Sequence, residues 1–154
     1  MIEVRNAKES DQDRCLALLA ELQAATGSTR RHTPGHAFAS LLDLSRGQIL
    51  LAWENDSILG MATVSYNIAL RYGGEYCQLE ELIVTPEARG KKVGGLLLNA
   101  VLNAARARGC AEIGLYLLDS TEHNQPFYEK FGFSRVGGEM RQSLAADADA
   151  TWQR

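Results

Sequence analysis

The sequence predicts an α/β domain, and three observations carry that prediction. Short runs rich in Ile, Val, Leu and Tyr alternate with longer runs of helical spacing along the chain. One stretch, Leu79 to Leu98, reads as strand, Pro turn, basic glycine loop and apolar helix start: LEELIVTPEARGKKVGGLLL. The length, 154 residues, suits one domain with a single core.

The elements follow in order. Ile2 to Arg5 is a short first strand. Ser10 or Asp11 caps a helix to about Ala25, with Cys15, Leu18, Leu19 and Leu22 on one face. Thr26 to Gly35 is a polar loop, and Pro in a first turn starts a second helix over Pro34 to Leu44. Gln48 to Trp53 and Ile58 to Tyr66 are strands joined by a hairpin at Glu54-Asn55-Asp56-Ser57. Arg71 to Glu75 is a turn, and Tyr76 to Val84 is the long strand that enters the basic loop. Lys92 to Arg108 is the main helix: Val93, Leu96, Leu97, Ala100, Val101 and Ala104 follow helical spacing, and Asn99, Asn103 and Arg106 share a polar face. Gly109 stops it. Glu112 to Leu117 is a strand, Asn124 to Phe131 a short helix, and Phe133 to Val136 and Met140 to Leu144 are two last strands. Phe38 and Trp53 are expected in the core. The order is β-α-α-β-β-β-α-β-α-β-β, in one domain over residues 1–144. The tail 145–154, AADADATWQR, lacks periodicity and is expected to be loose.

Composition excludes several classes. No apolar run approaches the roughly 18 residues that span a membrane. The N-terminus, MIEVRNAKESDQDR, lacks the apolar segment of a signal peptide. Three widely spaced cysteines, Cys15, Cys77 and Cys110, argue against a disulfide framework and for a reducing cytoplasm. No Cys/His spacing suggests a metal site. The net charge of −3 argues against a nucleic-acid partner.

The basic loop carries the functional signal. The first turn of a helix has unpaired N–H donors and a positive dipole end, so a strand–loop–helix of this kind suits a pyrophosphate. Gly90, Gly94 and Gly95 allow close approach of the chain, and Arg89, Lys91 and Lys92 add charge. Two better-known phosphate loops fail. A P-loop needs Lys and Ser or Thr after its last Gly, and here Leu96 and Leu97 follow Gly95. A dinucleotide fingerprint needs GxGxxG after a first strand, and neither the spacing nor the place fits.

Arg89, Val93 and Gly94, approached by LIVTPEA, resemble the pyrophosphate loop of the GNAT N-acetyltransferase superfamily, written [QR]xxGx[GA]. Lys92 departs from it, standing where the family usually has Gly; with a negative φ it would still present its N–H. Phe127-Tyr128-Glu129-Lys130-Phe131-Gly132-Phe133 resembles the family's FYxxxGF signature, in the expected order and separation. The resemblance covers about residues 2–144. It implies the GNAT acyl-CoA N-acyltransferase fold, a mixed, twisted sheet with helices on both faces and splayed central strands. It also implies acetyl-CoA as co-substrate, bound along Leu82, Ile83 and Val84, at Arg89 to Gly95, and near Asn124.

Roles within the site follow from chemistry and from the resemblance. Amide formation from a thioester needs a neutral amine, an oriented carbonyl and an acid for the departing thiolate. Tyr128 is the candidate acid, because a phenol of pKa ~10 stays protonated at neutral pH; the alternative is a tyrosine packed on the core. A backbone N–H near Leu82 or Val84 would hold the carbonyl. Glu80 and Glu81 are adjacent on one strand, so they are expected on opposite faces. Either could orient or deprotonate the amine, and the other would be a paired buried carboxylate. Sharing a side with Leu82 and Val84 favours Glu80. Thr121 stands where relatives carry a cofactor-contacting Asn; Asn124 could serve instead, or cap a helix. His123 is a base or a solvated loop residue.

The acceptor is less legible. Arg30, Arg31, His32 and His36 form a basic cluster that borders an anionic acceptor or is a solvated loop. A covalent route through Cys77 lacks a neighbouring His. The expected activity is acetyl transfer to a small-molecule primary amine within a ternary complex. A protein or peptide amine acceptor and a non-catalytic acyl-CoA-binding module remain open, as does a homodimer.

Overall fold

A computed structural model describes residues 1–26 and 34–144, without the side chains of 25 and 26. Arg30, Arg31, His32 and the tail 145–154 lie outside the described residues. The elements are β1 Ile2–Asn6, α1 Gln12–Thr26, α2 Gly35–Leu41, β2 Gly47–Glu54, β3 Ser57–Ala69, β4 Gly74–Val84, α3 Val93–Arg108, β5 Ile113–Leu115 and α4 Gln125–Glu129. Short 3₁₀ turns precede α1 and α4 and join β3 to β4. The five strands form one sheet in the order β1-β2-β3-β4-β5, antiparallel except for the β4–β5 pair.

Alternation along the strands sorts the core into two layers. Ala62, Val64 and Tyr66 of β3 and Cys77 and Leu79 of β4 face α3, which buries Val93, Leu97, Leu98, Val101, Leu102 and Ala105 against them. Ile49 and Leu51 of β2, Met61 of β3 and Ile83 of β4 face the other way, onto Cys15 and Leu18 of α1 and Phe38 of α2. Each such large side chain contributes about 1.5–3 kcal/mol when withdrawn from water. Trp53 packs only at the rim of this second layer, with Arg5 stacked 4.2 Å from its ring.

The far end of α3 is pinned by one residue. Arg108 pairs with Glu75 at 2.9 Å, donates to the carbonyls of Leu44 and Ser45, and stacks on Tyr66 at 3.9 Å. The near end is thereby held beside the C-terminal end of β4.

Three expectations need correction. Helix α2 stops at Leu41, where a turn takes over and Asp43 accepts hydrogen bonds from the N–H groups of Arg46 and Gly47. Strand β5 pairs over three residues only. The two last strands do not form: residues 133–144 run irregularly, and no ladder joins them to β5. Their apolar residues Val136, Met140 and Leu144 stand nearly fully exposed, so strand-like composition found no buried face to stabilise it.

Candidate functional site

The site begins where β4 and β5 part. Their ladder ends at Leu79↔Leu115, while β4 runs on to Val84. The N–H of Glu81 donates to Thr63 and that of Thr85 to the Leu59 carbonyl, both toward β3. Backbone groups alternate along a strand, so the N–H groups of Leu82 and Val84 point to the side that β5 has left. Unpaired strand N–H groups at an open gap can donate to a carbonyl oxygen.

Beyond Val84 the chain turns through a 3₁₀ turn at Pro86–Ala88 and enters the basic loop. Gly90 has φ 87°, a conformation that favours glycine. Lys92 has φ 63° and ψ 23°, also left-handed, immediately before α3. The φ is positive rather than negative, so Lys92 holds a conformation that favours glycine, with the strain of a Cβ. Its carbonyl accepts the N–H of Leu96, leaving the N–H groups of the helix start directed outward. Arg89 and Lys92 are exposed, and Lys91 pairs with Glu54 at 3.1 Å. The loop thus offers free amides, a positive helix end and three cations, which fit a pyrophosphate.

The aromatic signature closes the gap from below. A Cβ on Gly94 would lie 3.5 Å from Phe127 and 3.7 Å from Val84. Loop, β4 end and α4 therefore converge. Tyr128 is half-buried, edge-on to Phe127 at 5.1 Å and to Phe133 at 5.9 Å. Its hydroxyl makes no hydrogen bond among the described residues, and burial raises its pKa, so the phenol stays protonated. Asn124 precedes α4 without capping it, and its exposed side chain is free for a ligand. Thr121 instead spends its hydroxyl on the Leu118 carbonyl, 3.2 Å away. His123 and His36 are exposed. Cys77 is fully buried, and its thiol is pushed up to about 12, so it stays neutral. Among the described residues, no cluster of three His, Cys, Asp or Glu could hold a metal.

The carboxylates are placed otherwise than strand alternation predicts. Thr63 pairs with Glu81 but Val64 pairs with Leu79, so Glu80 is an extra residue, a β-bulge in β4. The Thr63 hydroxyl donates to the Glu81 carboxylate, and the Ser65 hydroxyl donates to that of Glu80 at 2.6 Å. Thr63 and Ser65 are two apart on β3 and share a face, the one Met61 turns toward α1 and α2. Both carboxylates are therefore on the α1/α2 face, opposite Leu82 and Val84, whose side chains pack toward α3. Glu80 is exposed. Glu81 is half-buried, and its pKa is raised by desolvation, opposed by the Thr63 hydrogen bond and reinforced by the charge of Glu80.

Thr63 and Ser65 escaped sequence reasoning. The available signal was a pair of hydroxyl residues at i, i+2 in the otherwise apolar MATVSY strand, opposite two glutamates.

An open α/β sheet whose strands part between β4 and β5 can take a ligand in the crevice at those strand ends. The model of the Acetyltransferase (GNAT) family matches residues 16–133, well over half of the chain. The chain belongs to that family and is an acetyl-CoA-dependent N-acetyltransferase. It is 29% identical over 149 residues to glucosamine 6-phosphate N-acetyltransferase of Trypanosoma brucei brucei, covering 93% of this chain and 96% of that protein. It is also 29% identical over 133 residues to aminoalkylphosphonate N-acetyltransferase of Salmonella typhimurium, covering 86% and 85%. Among solved structures, a Trypanosoma brucei acetyltransferase superposes with TM-score 0.73 at 27% identity, over 94% of this chain and 100% of that one. A predicted acetyltransferase with acetyl-CoA from Clostridium acetobutylicum shares the fold, with TM-score 0.80 at 18% identity over 94% and 97%.

Proposed function

We propose that the protein acetylates the primary amine of a small molecule bearing a phosphate or phosphonate, by direct attack within a ternary complex. Residues 1–144 act as one catalytic domain. The observation that carries the mechanism is the β4 bulge, which brings both carboxylates to one face beside the open end of the strand. Acetyl-CoA supplies the acyl thioester, its pyrophosphate held by the amides and cations of Arg89 to Gly95. Glu81 accepts the proton that the ammonium must lose. An ordinary carboxylate is a weak base toward an amine of pKa about 10, and burial that raises Glu81 narrows the gap. The N–H groups of Leu82 and Val84 hold the carbonyl oxygen where negative charge develops. Tyr128 gives its hydroxyl proton, or a hydrogen bond, to the departing sulfur. The neutral, buried Cys77 supports a route without an acyl-enzyme.

The acceptor class rests on the relatives: glucosamine 6-phosphate and aminoalkylphosphonates are both amines with a phosphorus oxyanion. Arg30 and Arg31, which lie outside the described residues, are the cations proposed to meet that group. The test is release of free thiol from acetyl-CoA with glucosamine 6-phosphate, glucosamine, aminoalkylphosphonates, polyamines, aminoglycosides and peptides. The phosphate or phosphonate amines should have the highest kcat/KM, and Arg30→Ala or Arg31→Ala should raise their KM. A polyamine or peptide as best acceptor would overturn the acceptor class. Binding of acetyl-CoA with no thiol release from any amine would overturn the enzyme reading.

A further inference from the structure

We infer that Thr63 is a positioning residue, whose hydroxyl fixes the Glu81 carboxylate for proton transfer. This deepens the proposed role of Glu81 and rests on it. Thr63 and Asp11 are the buried polar residues among the described ones, and Thr63 is 5% exposed on a strand otherwise filled with Met61, Ala62 and Val64. A buried hydroxyl in such a place must find partners, and Thr63 finds both in one residue. Its oxygen accepts the N–H of Glu81 at 3.1 Å, and its proton goes to the carboxylate of the same residue. The two bonds clamp backbone and side chain of Glu81 together at the point where the bulge breaks the ladder.

The geometry explains why the clamp is needed. The bulge leaves Glu80 without a partner of its own, so Glu81 keeps the face it shares with Ile83 but lacks a regular cross-strand neighbour on one side to fix its rotamer. A cross-strand hydroxyl restores a single orientation. With one carboxylate oxygen engaged by Thr63, the other oxygen is left for the amine or a bridging water. As a donor to the charged form, Thr63 also holds the carboxyl's affinity for protons below what burial alone would set.

Among the described residues few charges compete, and Asp11, the buried carboxylate beside Cys15, is paired with Arg5 at 3.5 Å. Glu80 on the same strand raises Glu81, and Ser65 holds Glu80 apart. From α1 the inward titratable group is Cys15, pushed up to about 11 and neutral; Asp13, Arg14 and Glu21 of that helix are exposed. The titratable residue of α2, His36, is exposed. β2 presents Ile49 and Leu51 on this face.

The experiment titrates the side-chain carboxyl of Glu81 by NMR in protein labelled with ¹³C at the glutamate carboxyls. The resonance is assigned from its loss in Glu81→Gln. Wild type, Thr63→Val and Thr63→Ser are compared, with Thr63→Ala as an independent deletion of the hydroxyl. Thr63→Val and Thr63→Ala should move the Glu81 midpoint to higher pH, and Thr63→Ser should restore it. With the best amine of the acceptor panel, kcat should fall about 10- to 100-fold in Thr63→Val, recover in Thr63→Ser, and its acid limb should follow the midpoint. A wild-type midpoint in Thr63→Val and Thr63→Ala, or an equal shift in Thr63→Ser, would overturn the inference. Full activity in Glu81→Gln would instead overturn the base reading, while the titration still decides whether Thr63 governs this carboxyl.

Discussion

Glu81→Gln separates what a half-buried carboxylate does for chemistry from what it costs the fold. The amide keeps the size of the side chain and an oxygen that can accept from Thr63, but it takes no proton from an amine. Losing a general base lowers the rate by about 10²- to 10⁴-fold, and the loss should fall on kcat rather than on acetyl-CoA affinity. Stability should move the other way. Burial raises Glu81 above its ordinary 4.5, so the folded protein keeps this proton to higher pH than the unfolded chain does. The contribution of the group is whole below the ordinary value and is lost as pH rises through the folded-state value. Above both, each unit of that rise costs about 1.4 kcal/mol, and each kcal/mol moves Tm by about 2–4 °C in a chain of this size. Glu81→Gln should therefore melt higher than wild type at pH 7–8, and the two should converge below the ordinary carboxylate value. Thermal melts across pH, with thiol release at saturating acetyl-CoA, measure both. Glu80→Gln should lose far less activity and move the acid limb to lower pH, because it removes the like charge beside Glu81. A Glu81→Gln enzyme that is fully active, or less stable than wild type at neutral pH, would refute the reasoning.

Three further outcomes are expected. Lys92→Gly removes a Cβ from a left-handed residue at φ 63°; relief of about 1–2 kcal/mol, less about 0.4–1 kcal/mol for the freer unfolded chain, should raise Tm, and calorimetry should find weaker acetyl-CoA binding through the lost cation. A lower Tm would mean the Lys92 side chain has a structural partner. Tyr128→Phe keeps the ring against Phe127 and Phe133 but removes the free hydroxyl; kcat should fall about 10²- to 10⁴-fold with acetyl-CoA affinity little changed, and unaltered turnover across the pH range would make the tyrosine purely structural. Gly94→Glu places a carboxylate among the helix-start amides, so the stabilisation of about 2.7 kcal/mol expected from acetyl-CoA at a hundred times its dissociation constant should largely vanish; a full thermal shift in that variant would place the cofactor elsewhere.

Much of the site was legible because it depends on local chemistry. The glycines and cations of residues 89–95 lie consecutively, and a helix start is an anion site whatever packs around it. The FYEKFGF segment likewise supplies the aromatic neighbours of Tyr128, Phe127 and Phe133, from within itself. The start of α3 was read within one residue, but its buried face is rotated from the expected one, with Leu98, Leu102 and Ala105 inside and Leu96 exposed. The expected last strands failed because composition rich in strand formers specifies pairing only where a partner edge and a covered face exist.

The sequence by itself determined the element order through α4, the basic glycine loop at a helix start, the tyrosine acid candidate and the class of chemistry, because each is encoded over a few neighbouring residues. Only the tertiary structure decided which face the carboxylates take and which of them is the more withdrawn from water. Strand alternation assigned Glu80 and Glu81 to opposite faces, but one inserted residue against β3 resets the pleat and turns both toward Thr63 and Ser65. A bulge depends on the register between two strands, so strand periodicity read along one of them does not reveal it. The same holds for the left-handed Lys92, whose backbone is set by the packing of β4 and α3 on either side of it rather than by its own preference.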